Sequence, residues 1–152
     1  MTLRILNTKE KAEIQEKLRE QFGIEEIPGL LIQTGEERIF LFTGNLEEKE
    51  IRRLEKTAVI EKIGVYFATL VNNEIRLSIE GTHILKNQIK KNIFELNKEQ
   101  AEEWMKGREL NIKIGKKGFI ILKHGDDLLG CGKASEEKIT NFIPKMRRLK
   151  EK

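Results

Sequence analysis

Lys133, Lys138, Lys145, Arg147 and Arg148 fall within one stretch, Gly118 to Arg148, that also carries Asn141, Phe142 and Pro144. Ammonium and guanidinium groups at this density suit phosphate, lysine as a point charge and arginine as a fork that makes bidentate contacts. The same stretch opens as a β-hairpin. Gly118 to Leu122 is an apolar run, His124-Gly125-Asp126-Asp127 is turn chemistry, and Leu128-Leu129-Gly130 starts a returning strand. Basic charge carried on small-sheet geometry points to nucleic acid.

Other chemistries fare less well. His83 and His124 lie far apart, and neither has a cysteine or carboxylate cluster at ligand spacing, which argues against zinc. His124 beside Asp126 and Asp127 has the residue types of acid–base catalysis, but a hairpin turn is the commoner reason for such a run. Gly115-Lys116-Lys117-Gly118 lacks the spacing and the following helix of a phosphate-cradling loop. A single cysteine, Cys131, excludes an internal disulfide and a cysteine-cluster metal site and suggests a reducing compartment. Between Gly130 and Gly132 it reads as a small residue in a tight strand. No cofactor is expected. With no apolar run long enough to cross a bilayer, and an N-terminus, MTLRILNTKEK, that lacks a signal peptide's apolar core, the expectation is a cytoplasmic protein without membrane contact.

The 152 residues are 38% apolar and 36% charged, enough for a sizeable core under a densely charged surface. The Lys and Glu content fits a thermophilic source, where networks of surface ions gain value as desolvation costs fall. Charge is unevenly spread. Residues 1–85 hold 12 Lys and Arg against 15 Asp and Glu, net −3, whereas residues 86–152 hold 17 against 10, net +7. The second half is the part suited to a polyanion, although lysine-rich faces are often only solvated surface.

The elements that must position these residues can be taken in chain order. Residues 8–22 pattern as a helix with Thr8 as N-cap, Ala12, Ile14, Leu18 and Phe22 as its apolar stripe, and Gly23 as its stop. Leu30 to Gln33 and Arg38 to Phe42 read as a hairpin. Leu46 to Glu55 reads as a short helix capped by Asn45. A strand from about Gly64 to Leu70 turns at Asn72-Asn73 into a partner strand, Glu74 to Ser78, and Glu80 to Leu85 reads as a short helix. Then come a strand at Ile93 to Leu96, Asn97 as N-cap, a helix from Lys98 to Met105 stopped by Gly107, and a strand at Leu110 to Ile114. The expected class is α+β: a small, mostly antiparallel unit followed by a barrel-like set of short strands with one helix.

One resemblance covers residues 90–149. The order Leu96, Glu99, Ala101, Trp104, Gly107, Leu110, then Gly118 to Leu122, Leu129-Gly130, Lys133, Ile139, Asn141, Pro144-Lys145 and Arg147 resembles the PUA or PUA-like domain that ends RNA cytosine-C5 methyltransferases of the Sun and RsmF kind. That family implies a pseudobarrel, closed by a terminal N-x-x-P-K-x-x-R strand, that binds structured RNA. The region Gly64 to Ser78 is similar to what precedes this domain there, and more loosely to pre-PUA domains of small ribosome-biogenesis factors. The resemblance thus implies two domains, 1–88 pre-PUA-like and 89–152 PUA-like. It further implies that Lys106, Gly107, Arg108, Lys133, Asn141, Lys145, Arg147 and Arg148 form an RNA-binding surface, with Gly107 letting the backbone approach phosphate. Those methyltransferases also carry a Rossmann-like domain with a glycine-rich loop and a Pro-Cys nucleophile. Neither motif occurs in this chain, so the expectation is a non-enzyme that binds tRNA or rRNA in RNA modification or ribosome assembly. The alternatives are an adaptor docking a separate RNA-modifying enzyme or ribosome-assembly factor, and an enzyme with an unrecognised site.

Several of these residues have a plainer reading. Trp104 on the apolar side of its helix is more in keeping with core than with base stacking, while Phe142 is evenly balanced. Tyr66 and Phe67 are adjacent in a strand, so they point to opposite faces and one is buried. Asn141 suits either RNA or its own backbone.

Overall fold

The computed structural model describes residues 3–43 and 64–150. Strands β1 (Leu3–Ile5), β2 (Leu30–Thr34), β3 (Arg38–Phe42), β4 (Val65–Val71) and β5 (Glu74–Leu77) form an antiparallel sheet in chain order. Helix α1 (Thr8–Phe22) lies between β1 and β2. Helix α2 (Ile79–Ile84) and a 3-10 turn (Lys86–Gln88) lead to a second, curled sheet of β6 (Ile93–Glu95), β7 (Gly118–His124), β8 (Asp127–Ala134) and β9 (Ile139–Thr140). Helix α3 (Lys98–Met105) joins β6 to β7, which run parallel; the other pairs of this sheet are antiparallel. The expected class holds: an antiparallel α+β unit ahead of a curled sheet of short strands with one helix.

Local chemistry explains most of the boundaries. The turn between β4 and β5 puts Asn72 and Asn73 at φ 47° and 66°, the left-handed pair that a two-residue hairpin loop requires and asparagine tolerates. Helix α1 is capped by Asn7 and not by Thr8. Asn7 Oδ1 accepts from the Glu10 amide at 2.9 Å and Glu10 accepts from the Asn7 amide at 3.1 Å, a reciprocal box that Thr8, one residue on, has no matching acid to form. Ala12 is exposed, because the buried stripe of Ile14, Leu18 and Phe22 runs at four-residue spacing on a different face. Strand β1 has no counterpart in the sequence reading; its three residues are too few for a pattern and are held by pairing with β2. The helix expected over 46–55, and its cap Asn45, lie outside the described residues.

Two expected strands are absent from the described residues. Over 110–114 only Leu110 pairs, as a bridge to Ile139. Beyond it Ile112 and Ile114 still turn inward while Asn111 and Lys113 are exposed, so the alternation is real but β9 is too short to continue the ladder. The terminal segment also departs from a strand. Pro144 lacks an amide to donate, and Lys145–Arg147 wind into a 3-10 turn.

The core is organised about β7. Phe119, Ile120, Ile121 and Leu122 are all buried, because the strand is covered on both faces. Phe119 and Ile121 join one cluster with Leu18, Phe22, Ile39 and Phe67 of the first unit, whereas Ile120 and Leu122 join another with Leu96, Trp104 and Ile139. A register shift opposite Ile121 to Lys123 lets both Leu128 and Cys131 face the first cluster despite their odd spacing. On the other face a Cβ at Gly132 would stand 2.6 Å from Trp104 Cη2 and 2.8 Å from Ile139 Cγ2. The indole therefore packs directly on bare strand backbone.

Candidate nucleic-acid interface

Helix α3 sets the position of the candidate surface. Its start is locked by Asn97 and Gln100, which cap each other's amides at 2.8 and 2.9 Å. Its buried side carries Ala101 and Trp104. Trp104 is fully buried and its Nε1 donates to Leu129 O at 2.9 Å, so it is core and offers no face to a base. Gly107, at φ 89°, then reverses the chain.

The C-terminal segment is strapped onto that helix end. Leu149 N donates to Met105 O at 2.7 Å, and Arg148 Nε donates to Ile143 O at 2.9 Å. A side chain at Gly107 would collide with Arg148, its Cβ falling 2.4 Å from Cδ. Asn141 completes the strap. Its Nδ2 donates to Trp104 O and Arg108 O at 2.8 and 2.9 Å, and its Oδ1 accepts from Ile143 N at 2.8 Å. The Trp104 carbonyl belongs to a helix C-terminus, the negative end of its dipole. Any attraction for phosphate here therefore comes from side-chain cations and not from backbone amides of the kind a helix N-terminus presents.

Lys106, Gly107, Arg108, Asn141, Lys145, Arg147 and Arg148 thus converge on one strapped corner. Lys145 is exposed; Arg108 bonds Glu103 at 2.5 Å; Arg147 is ion-paired with Glu80 of α2. Lys133 lies elsewhere, on β8, with its ammonium 5.5 Å from the Phe119 ring centroid. It reaches the corner through its ladder partner Thr140, next to Asn141, and through packed rings, Phe119 lying 6.4 Å from Phe142.

The structure adds residues from the first unit that sequence reasoning missed. The Arg76 guanidinium sits 4.3 Å from the centroid of Phe142, and both line a cleft of about 130 Å³ with Tyr66, Ile79, Glu80 and Arg147. Arg38 lies 4.6 Å over the Tyr66 ring, and the Tyr66 hydroxyl bonds Thr69 Oγ1. Phe67, as the strand alternation demands, is buried while Tyr66 is half-buried. The only sequence signal for this wall is the alternation of Glu74 to Ser78, which places Arg76 off the core face without saying what it meets.

The remaining reactive groups are spent on backbone or buried. His83 Nε2 lies 3.0 Å from Leu128 O and His124 Nδ1 lies 2.8 Å from Leu96 O, each ring fastening one element to another. Burial pushes the Cys131 thiol up to about 12, so at neutral pH it is a protonated core group and not a nucleophile. Among the described residues no group of His, Cys, Asp and Glu is arranged to hold a metal ion, and no helix is long and apolar enough to cross a membrane.

Comparison with known proteins bears on the same corner. Residues 91–149 match the family model of the methyltransferase RsmF PUA domain. Over 150 residues, 94% of the chain, it is 29% identical to a ribosomal RNA small subunit methyltransferase F of Psychromonas ingrahamii. It is 27% identical over 148 residues, 91% of the chain, to the protein of that name from Vibrio campbellii, and 28% identical over 139 residues, 90% of the chain, to that of Shewanella oneidensis. These matches cover 30%, 29% and 28% of the relatives, so the chain spans about three-tenths of their length.

Proposed function

We propose that the chain, whose residues 91–149 match the methyltransferase RsmF PUA domain, binds structured RNA, tRNA or rRNA, in RNA modification or ribosome assembly. One observation carries this reading: Lys106 and Arg108 at the end of α3 are joined there by Lys145, Arg147 and Arg148 of the terminal segment, which a backbone strap holds against that helix end. A surface of preset cations binds phosphate without reading sequence, so recognition rests on RNA shape and unpaired ends. Within it Lys106, Arg108, Lys145 and Arg147 are the phosphate contacts. Asn141 and Gly107 act by positioning the strap, and Arg148 divides its guanidinium between that task and phosphate. Lys133 is a peripheral contact. The two domains, 1–88 and 89–152, are part of the same proposal.

A second reading, an adaptor that docks an RNA-modifying enzyme, is favoured by Met146 and Leu149, which are 97% and 52% exposed beside the same cations. In the relatives the corresponding segment is a minor part of a longer chain, consistent with a surface that serves a catalytic partner.

The test is an anisotropy titration against tRNA, an rRNA fragment and single-stranded DNA at two salt concentrations. The expected result is selective binding to structured RNA that weakens steeply with salt. In a Lys106→Ala/Lys145→Ala variant, affinity should fall and the salt slope should shrink by about 2, one for each phosphate no longer neutralised. Equal and weak binding to all three nucleic acids would reject the reading.

A further inference from the structure

We infer that the cleft between the first sheet and the C-terminal segment is a pocket for one unpaired RNA nucleotide, the base lying against Arg76 and Phe142 and a phosphate oxygen taking the place of Glu80 on Arg147. The inference rests on the RNA-binding reading above and adds a site to which neither the basic corner nor the matched segment alone would lead.

Three observations support it. The first is the wall itself. Arg76 comes from β5 and Phe142 from the terminal segment, yet they form a guanidinium–aromatic pair at 4.3 Å that borders the cleft. Splayed-out bases stack on aromatic rings and on guanidinium groups, with little regard to base identity. Leu77, Ile79 and Pro144 supply further apolar wall, and the small volume suits a planar ring better than a bulky ligand.

The second is the electrostatic rim. Arg147 borders both this cleft and a neighbouring one that Ile79, Lys86 and Met105 also line, so the two are contiguous across it. The acids lining them, Glu80 and Asp127, are outnumbered by Arg76, Arg147 and Lys86. Arg147, of the terminal segment, thus joins the basic corner to the first unit through Glu80.

The third is how Arg147 is held. Its partner Glu80 and its own side chain are 40% and 43% exposed. An ion pair this open is worth little, so a phosphate can displace the carboxylate. Glu80 then acts as a stand-in for the ligand, keeping the guanidinium aimed at the cleft when RNA is absent. The arrangement also explains why an arginine of the terminal segment is matched to an acid of α2.

The test uses the full chain and two probes: a blunt RNA hairpin, and the same hairpin with a 3′ single-stranded overhang. Wild type should bind the overhang form more tightly. Phe142→Leu, which keeps an apolar group against Phe119, should lower affinity for the overhang form by about tenfold and leave the blunt form unchanged. Glu80→Gln removes the competing charge and should tighten binding of the overhang form severalfold, a gain that misfolding cannot produce. No overhang preference in wild type overturns the inference, as does equal loss on both probes in Phe142→Leu with unchanged affinities in Glu80→Gln. In either case binding of the blunt hairpin leaves the general RNA-binding reading standing. Failure of wild type to bind both probes would remove the reading and the inference together.

Discussion

The first sheet is assembled in chain order, each strand beside its sequence neighbour, while the second depends on a parallel pairing of β6 with β7 across the whole of α3 and the residues that follow it. Their interiors differ in the same way. The hairpins of the first sheet turn at Gly35 and at Asn72-Asn73 on local backbone chemistry, whereas the second sheet closes because Trp104 fits against Gly132 and because Asn141 ties its terminal segment to the end of α3. The difference shows where precision is kept. The candidate RNA surface sits on the sheet whose geometry comes from long-range contacts, and its cations are aimed by those contacts.

The strongest test of that contrast is Trp104→Ala. It should destabilise the protein by about 3–5 kcal/mol, the range for truncating a large buried aromatic. Because β7 shares Phe119 and Ile121 with the core of the first sheet, denaturant unfolding followed by circular dichroism should stay a single transition at a lower midpoint. Two resolved transitions would show that the sheets are energetically independent.

Next in size is a pair of glycine substitutions. Gly132→Ala puts a methyl into Trp104 and should cost about 1–3 kcal/mol by overpacking. Gly35→Ala, at φ 65° with open space around it, should cost only about 1 kcal/mol of backbone strain. The reverse order in thermal melts would break the claim that the second sheet is the more tightly fitted of the two.

Asn141→Ala sharpens the link from packing to function. It takes one donor from each of the Trp104 and Arg108 carbonyls and the acceptor from the Ile143 amide, so stability should drop by about 1–3 kcal/mol. RNA affinity should fall with it although no cation is removed, a result to be read by titration at a temperature where the variant is fully folded. Retained affinity would mean that the strap does not aim the cations.

The smallest expected effect is on the first unit. The hydrogen bond from Arg4 to Glu10, helped by the Asn7 amide, holds the Glu10 carboxyl below the usual carboxylate range. A depressed folded-state pKa contributes stability that is present above the unfolded value, about 4.3, and is lost as pH falls through the lower folded value. For so open a pair the contribution is at most a few tenths of a kcal/mol. Glu10→Gln should therefore lower the melting temperature slightly at pH 7 and leave it unchanged near pH 2.

Sequence reading recovers what is written locally. Asn97 as a cap, the helix to Met105, the Asn72-Asn73 turn and the hairpin at His124 to Asp127 each depend on a few adjacent residues and the backbone angles they prefer. It overreaches where a local pattern needs a distant partner. Among the described residues Ile112 and Ile114 alternate like a strand yet lack a paired one, and the terminal strand that the family resemblance implied gives way at Pro144 to a 3-10 turn. It also favours Thr8 over Asn7, where the reciprocal acid at Glu10 decides the cap.

The candidate site divides along the same line. The identity of the cations, the charge difference between the halves and the helix stop at Gly107 were legible by themselves, because charge and backbone freedom are properties of single residues. What only the tertiary structure decided is which of those groups act together. It spent Asn141 on three backbone bonds, left Lys133 on another strand, and brought Arg76, Tyr66 and Glu80 from the first unit to the cleft beside Phe142 and Arg147. The physical reason is that a side chain's role depends on what stands across from it, and those partners lie tens of residues away in the chain.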